Sequence, residues 1–203
     1  MKVDRALIVD EALKLLDEVG IDALSTRMLA ERLNVRQPAL YWHFKSKRAL
    51  IEAMAEEIMA RGHTHTWPVA AENWRDFMLD NARNFRRTLL SYRDGGRLHA
   101  GTEANPQDLA NVEAHIAVLV GAGMEAEFAM ELLVAIDRYT VGCVIEEQAE
   151  PPPEQEKLDA AAADFPLTRR AITHYRNYGH EAFFEAGLRM MVDGAAQRFA
   201  RRA

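Results

Sequence analysis

The side chains that follow residue 36 are of the types that read DNA bases. Gln37 can offer an adenine edge both a hydrogen-bond donor and an acceptor. Pro38 and Ala39 are small and apolar, which suits contact with a thymine methyl group. The neighbouring candidates for base or phosphate contacts are Thr26, Arg27, Tyr41, Trp42, His43 and Lys47. This stretch predicts a DNA-reading surface.

A second set of polar side chains lies in helical segments that are otherwise apolar. Its members are His63, Asn81, Phe85, His99, Thr102 and Glu146. Asn81 and Phe85 are four residues apart and therefore share a helix face. Apolar walls with a few convergent polar groups are typical of a small-molecule site. The residues alone leave each of these side chains without an assigned role, because an isolated histidine on such a helix is more often structural.

Helices must position both sets, because almost every segment repeats its apolar residues at the helical period. The pattern predicts an all-α chain. Residues 34–36 allow only a sharp turn between a helix that begins at Ser25/Thr26 and a helix over 37–44. In such a helix–turn–helix the second helix enters the major groove. We expect Leu40 and Phe44 to pack inward and fix it. A further helix over 47–61 would join this region to the second set.

The charge distribution agrees with a DNA-binding N-terminal region. The 203 residues carry a net charge of −6, but residues 1–50 carry +2 and residues 24–48 carry +5. A basic segment on an acidic body is typical of a protein that binds a polyanion. One cysteine, Cys143, excludes an internal disulfide framework and suits a reducing compartment. With neither a transmembrane run nor a secretion signal, we expect a cytoplasmic protein.

Two long helices, over 125–148 and 181–201, carry more apolar residues than one core needs, and predict a four-helix bundle between two subunits. The residues concerned are Met130, Leu133, Val134, Val141 and Val144 in the first and Phe183, Phe184, Leu188, Met191 and Val192 in the second. A dimer would place its two reading helices about 34–36 Å apart, so its operator would be palindromic.

Two other classes of protein compete with a ligand-responsive regulator. A catalytic metal site could use His63, His65, His99 and Glu146, but the sequence has no HExxH motif, phosphate-binding loop or nucleophile–base pair. We therefore expect no enzymatic activity. The other class is a dimeric DNA-binding protein whose body only dimerises. A ligand that binds only the folded protein raises its melting temperature, so thermal shifts with candidate ligands would separate these possibilities.

Residues 1–50 resemble the N-terminal domain of the TetR family, whose Tyr-x-x-Phe-x-x-Lys pattern is matched by Tyr41, Phe44 and Lys47. The stretches RGHTHTWP, DNARNFRRTLLSYRDGGRLHAGT and YTVGCVIEEQ extend the resemblance over the body. The resemblance implies a homodimeric repressor that leaves its operator DNA when an inducer binds. The inducer that it implies is tetracycline together with Mg²⁺. The resemblance implies no organic cofactor. The implied domains are 1–46 for DNA binding and 47–203 for ligand binding and dimerisation, with a connecting helix over 47–62 and a mobile loop over 149–166.

The resemblance also implies roles for the body residues. His63 and Asn81 would hold one polar edge of the inducer, and Phe85 would pack on its rings. His99 would bind the Mg²⁺ ion directly, while Thr102 and Glu146 would hold metal-bound waters, Glu146 from the partner subunit. Ligand and metal would reorganise residues 97–102, push the 47–61 helix and spread the two reading heads.

Three departures from the family pattern affect this site. Glu103-Ala104 replaces an Arg-Pro pair after Thr102, His115 replaces a glutamine that meets the drug, and Arg138 replaces a histidine of the wall. These changes alter the charge and volume of the pocket. The sequence therefore leaves open a second reading, in which a different polycyclic or hydrophobic small molecule is the inducer.

Overall fold

A computed structural model describes residues 3–63, 73–102, 109–149 and 161–200. Within these ranges every regular element is helical, which confirms the all-α prediction. The chain forms two compact units, residues 1–148 and residues 149–203. His65, Glu103 and Ala104 lie outside the described residues, as does 150–160, which is most of the predicted mobile loop. No helix in the described ranges is both long and apolar enough to span a membrane.

The first unit begins with the predicted helix–turn–helix. Its first four helices are α1 (Arg5–Ala23), α2 (Thr26–Arg32), α3 (Gln37–Tyr41) and α4 (Lys47–Gly62). Ser25 caps α2 and Ser46 caps α4, each by accepting a hydrogen bond from a backbone N–H in the first turn. Asn34 adopts a left-handed conformation (φ 53°) in the turn between α2 and α3. These side-chain and backbone features place the short α3 at a sharp angle after α2.

Helix α3 is shorter than the sequence predicts, because it ends at Tyr41 and not at residue 44. The amides of His43 and Phe44 both donate to the carbonyl of Leu40, which tightens the chain into a turn. This turn carries Phe44 back to the core. Leu40 and Phe44 are both buried, as predicted.

The described remainder of the first unit consists of helices that pack on α4 and on one another. Its members are α5 (Trp74–Leu90), α6 (Gly95–His99), α7 (Leu109–Gly121) and α8 (Ala126–Gln148). Helix α4 packs on α1, α5 and α6, while α8 packs on α5, α6 and α7. The five-residue α6 was not predicted from the periodicity, since it is too short to display one.

Glycine permits the close approach of α6 to its neighbours. A Cβ atom on Gly95 would lie 2.0 Å from the Leu89 carbonyl oxygen, and one on Gly96 would lie 3.0 Å from Val144 Cγ1. No side chain fits at the first distance. The sequence Gly95-Gly96 thus holds α6 against both α5 and α8.

The second unit contains a 3₁₀ turn (Ala162–Asp164), α9 (Pro166–Tyr178) and α10 (His180–Ala200). Every described side chain of α9 is at least partly exposed. In α10, Phe184, Leu188 and Val192 are buried within the chain.

The burial pattern corrects part of the dimer prediction. Of the residues assigned to an intersubunit bundle, five are already buried in the single chain: Val141, Val144, Phe184, Leu188 and Val192. They are therefore core residues. Met130 (44% exposed) and Phe183 (41% exposed) remain available to a second subunit.

Candidate functional site

The N-terminal end of α3 presents the residues predicted to read bases. The Gln37 Nε2 atom donates a hydrogen bond to Thr26 Oγ1, 2.8 Å away. This contact orients the exposed Gln37 amide. Pro38, in the first turn, is exposed beside it. The pair Thr26–Gln37 therefore joins the starts of α2 and α3 into one polar edge.

The aromatic side chains after Leu40 face outward. Trp42 is 82% exposed and Tyr41 is 43% exposed, so neither is a core residue. A free tryptophan side chain on the surface places a large apolar area in water, which is unfavourable unless a partner covers it. His43 is also exposed, whereas Ala39 is half-buried. The outward aromatics and the inward Leu40 and Phe44 together make a rigid, two-faced segment.

The cations around this segment differ in their freedom. Arg27 pairs with Glu31 one turn later at 3.0 Å, and both side chains are largely exposed. Such a surface pair contributes little stability and can exchange for a phosphate. Lys47 is exposed at the first position of α4, where the helix dipole favours an anion. Arg27 and Lys47 therefore place exposed positive charge on the helices that flank α3.

Three rings from three different helices meet in the interior of the first unit. Phe85 of α5 is buried, with its ring centroid 5.5 Å from that of His63 and 5.1 Å from that of His99. His63 ends α4 and His99 ends α6. We call these three residues the ring row. It connects the C-terminal ends of α4 and α6 through a single phenyl side chain.

Polar contacts hold the ends of this row in place. The Asn84 side chain donates to the Gly62 carbonyl (3.1 Å) and so attaches the end of α4 to α5. The Thr102 hydroxyl donates to the His99 carbonyl (2.8 Å), which curls the chain after α6 back towards that histidine. Asn81 is half-buried, one turn before Phe85 on α5. The predicted contributors of α4, α5 and α6 thus surround a common region.

The other predicted ligand residues lie on α7 and α8. His115 of α7 contacts the buried Phe77 ring edge-on, with centroids 5.4 Å apart. Arg138 and Glu146 are both exposed on α8. Gln148, near Glu146, bonds to the Gly96 amide (3.2 Å) and to the Tyr92 carbonyl (2.8 Å), so the end of α8 is attached to the turn before α6.

Asp137 was missed by the sequence interpretation. Its Oδ1 atom lies 3.9 Å from His99 Nε2. Partial burial raises the pKa of the Asp137 carboxyl, and the charges of His99 and Arg138 oppose that rise. The only signal in the sequence was an acid directly after the apolar residues of α8, and nothing there pointed to His99.

A set of contacts between the α5–α6 turn and the end of α1 was also missed. Asp94 Oδ2 accepts from the Ile21 amide at 2.9 Å, and Arg97 donates to both carboxylate oxygens of Asp22 at 2.7 and 2.9 Å. The Arg93 amide donates to Asp17 Oδ1 at 2.9 Å. The hydrogen bond from Arg97 lowers the pKa of Asp22. We call these contacts the α1–α6 clamp.

The donor set near His99 suits a hydrated cation that takes only part of its ligands from the protein. Within the described ranges no three His, Cys, Asp or Glu side chains converge on one point. An imidazole, hydroxyl and carboxylate oxygens and water nevertheless match the preference of Mg²⁺, which keeps several waters. His99 and Thr102 could therefore hold a hydrated ion whose remaining ligands come from a chelating molecule.

Two family models match the chain. The model described as bacterial regulatory proteins, tetR family, matches residues 8–54, and the model described as tetracyclin repressor-like, C-terminal domain, matches residues 67–199. The tetracycline repressor protein class A from transposon 1721 of Escherichia coli is 46% identical over 97% of this chain and 92% of that protein. The class G repressor of Vibrio anguillarum is also 46% identical, over 95% of this chain and 93% of its own.

Solved structures of TetR proteins are also similar to this chain. A class A TetR in complex with 5a,6-anhydrotetracycline and magnesium is 40% identical, with a TM-score of 0.75 and coverage of 96% of this chain and 99% of that one. A variant of TetR from Acinetobacter baumannii AYE in complex with minocycline is 41% identical, with a TM-score of 0.80 and coverage of 97% and 98%. Both curated relatives are named as repressor proteins.

Proposed function

Since the chain belongs to the TetR family of bacterial transcriptional regulators, we propose that it represses transcription as a homodimer that binds a palindromic operator and releases it when tetracycline with Mg²⁺ binds. The observation that carries this proposal is the ring row, which links the end of α4 to the end of α6 at the predicted ligand site. A solved relative at 40% identity holds a tetracycline derivative and magnesium.

The domain assignment follows from these roles. Residues 1–46 form the DNA-binding domain and residues 47–203 the ligand-binding and dimerisation domain, with 47–62 as the connecting helix. Lys47 opens α4 beside the DNA-reading segment, and His63 closes it at the ring row. The 16-residue helix α4 thus connects the DNA-reading segment to the ring row.

Operator contacts come from α3 and its surroundings. Gln37, held by Thr26, reads a base edge, and Pro38 and Ala39 contact the neighbouring step. Phosphate contacts come from the exposed groups around them: Arg27, Tyr41, Trp42, His43 and Lys47. Two such surfaces, one per subunit, must sit about one DNA turn apart to enter successive major grooves.

In the ligand site, His63 and Asn81 hold one polar edge of the inducer and Phe85 packs on its rings. His99 would hold the Mg²⁺ ion directly, and Thr102 with the partner's Glu146 would hold it through water. Mg²⁺ supplies a positive centre for the chelating oxygens of the drug. His115 and Arg138 line the wall.

Release of the operator follows from the two attachments of α6, one to α4 and one to α1. Any displacement of His99 is transmitted to α4 through Phe85 and His63, and to α1 through the α1–α6 clamp. Both routes end in the helices that carry α2 and α3. Induction requires only that the inducer bind the spread arrangement of the two heads more tightly than the arrangement that fits DNA.

A direct test uses the purified dimer on a fluorescently labelled duplex obtained by in vitro selection on this protein. Titration with tetracycline and Mg²⁺ should return the duplex anisotropy to its free value, while tetracycline with EDTA should not. Retention of the duplex at saturating tetracycline and Mg²⁺ would refute tetracycline as the inducer. Failure to select any palindromic duplex would refute the repressor function.

A second inducer class is favoured by one observation. The wall of α8 next to His99 carries an acid and a base in sequence, Asp137 and Arg138, both exposed. These charges suit a polycyclic chelator with more polar edges than tetracycline. Thermal shifts with a panel of metal-chelating polycycles would identify it, because the compound that binds only the folded protein raises its Tm. A panel without any shift would favour a dimeric DNA-binding protein that has no small-molecule response.

A further inference from the structure

The distance between His99 and Asp137 is that of two ligands of one cation. The 3.9 Å between His99 Nε2 and Asp137 Oδ1 exceeds the reach of a hydrogen bond. Divalent cations bind imidazole nitrogen and carboxylate oxygen at about 2.0–2.2 Å. Two ligands of one ion are then about 3 Å apart at a right angle and about 4.2 Å apart in line, and the observed gap falls between these limits.

The two side chains come from helices that are firmly held together. Asp137 precedes Val141 by four residues and Val144 by seven, so the three share one face of α8. Val144 on that face meets Gly96 of α6 at close range. Arg138 lies about 100° further round the helix, since an α-helix has 3.6 residues per turn, so it does not point the same way as Asp137. The acid therefore lies on the face of α8 that packs on α6, and the adjacent base lies about 100° round the helix from it.

The Phe85 ring packs against the His99 imidazole. The His99 ring stands edge-on to the Phe85 ring at 5.1 Å, and the His99 side chain is only 22% exposed. The Asp137 side chain is 52% exposed and can adjust its rotamer. The pair thus combines one largely buried nitrogen donor with one half-exposed oxygen donor.

From this geometry we infer that Asp137 is a direct protein ligand of the divalent cation, alongside His99, so that the chain binds a cation before any chelating inducer arrives. The inference rests on the proposed function, because it adds a residue to the cation site proposed there. An imidazole with a carboxylate favours Mn²⁺ and Co²⁺ over Mg²⁺, because imidazole is a better ligand for transition metals. Two protein ligands give weak binding, with a Kd of about 0.1–1 mM, as in other low-affinity cation sites.

The test is a titration of the full-length protein, without DNA or drug, with Mn²⁺ followed by electron paramagnetic resonance. The unmodified protein should remove free Mn²⁺ from solution with saturation at one ion per subunit. Asp137→Asn should weaken this binding at least about tenfold, and His99→Ala should weaken it as much. Glu127→Gln, which removes an exposed acid from the first turn of the same helix, is the matched control and should have no effect.

Each result decides the inference. Loss in Asp137→Asn and His99→Ala, with retention in Glu127→Gln, supports it. Equal binding by Asp137→Asn and the unmodified protein overturns it, and so does the absence of saturable Mn²⁺ binding. Asp137 is exposed, and circular dichroism of its variant verifies that the helices are intact. Operator release by tetracycline and Mg²⁺ is measured separately, so a failure of this inference is distinguishable from a failure of the proposed function.

Discussion

The Asp94 carboxylate accepts a hydrogen bond from the backbone amide of Ile21, 2.9 Å away and 73 positions earlier in the chain. Asp94 adopts a left-handed conformation (φ 56°) at the N-terminus of α6, and Gly20, just before Ile21, has φ 78°. This hydrogen bond thus joins two chain segments that each contain a residue with a positive φ angle. Helix α6 is thus attached to α1 here, in addition to its packing on α4.

The clamp gives a first prediction. Arg97→Gln removes the paired hydrogen bonds to Asp22 and should weaken the coupling between inducer and operator. We expect the inducer concentration for half-release of the duplex to rise about fivefold, a size typical of coupling between sites. Operator affinity without inducer should change little, because Arg97 is outside the DNA-reading surface.

Arg87→Gln provides the control for this prediction. Arg87 is an exposed cation in the last turn of α5, so its replacement removes the same charge without touching α1. Fluorescence anisotropy titrations of both variants make the comparison. If the two variants have the same inducer midpoint, α6 communicates with the head through α4 alone.

The close packing of α6 gives a second prediction. Gly95→Ala would place a Cβ atom 2.0 Å from the Leu89 carbonyl oxygen, so α6 must shift. Overpacking of this kind costs about 1–3 kcal/mol of unfolding free energy. Gly121→Ala adds the same methyl group where no heavy atom lies within 4 Å, and it should leave the unfolding free energy within about 0.5 kcal/mol. Urea denaturation of both variants measures the difference, and equal midpoints would show that α6 is not wedged at Gly95.

Features that neighbouring residues determine were predictable from the sequence, whereas contacts between distant residues were not. Neighbouring residues encode the apolar period, the helix start at Ser25/Thr26 and the turn at residues 34–36, and all three appear in the structure. The early end of α3 was missed because Trp42 and His43 are compatible with a helix, and only the burial of Phe44 favours the tighter turn. Local propensity does not contain that information.

The contacts that the sequence could not supply are all between distant positions. Asp137 and His99 are separated by 38 positions, and Arg97 and Asp22 by 75. A charged residue on an amphipathic helix ordinarily faces solvent, so the sequence did not indicate that Asp137 and Asp22 make these contacts. Likewise, Val144 and Leu188 look like interface residues in isolated helices, and only the packed chain shows that its own core covers them.

The exposed aromatic segment gives a third prediction. Trp42→Ala removes a side chain that is 82% exposed, so the thermal stability should remain within the range of surface substitutions, about 0.5 kcal/mol. If Trp42 contacts operator DNA, its loss should weaken operator binding about tenfold. Met190→Ala truncates another largely exposed apolar residue, far along the chain in α10, and should not affect DNA binding. An unchanged operator Kd in the Trp42 variant would remove it from the DNA-reading surface.

Base reading by Gln37 gives a fourth prediction, distinct from the effect of phosphate contacts. Gln37→Ala should cost about 1–3 kcal/mol of binding to the selected operator and should relax the preference at one base pair in each half-site. Lys47→Ala should instead weaken binding to all duplexes similarly and lower the salt dependence, because phosphate contacts release counterions. Affinities measured on single-base operator variants at two salt concentrations separate these patterns. A uniform loss in the Gln37 variant would mean that the residue serves only to bind the DNA backbone.

The division of labour between head and body gives the last prediction. His99→Ala removes the imidazole at the end of the ring row while leaving α3 and its surroundings untouched. We expect operator binding to stay within about twofold of the unmodified protein, whereas release by tetracycline and Mg²⁺ should need at least about tenfold more drug, since metal ligands contribute that much to affinity. The exposed His180, first residue of α10, offers a matched control in His180→Ala. Anisotropy of the labelled duplex reports both quantities in one titration. Loss of operator binding in the His99 variant before any drug is added would contradict the proposed separation, because it would mean that His99 supports the DNA-ready arrangement itself.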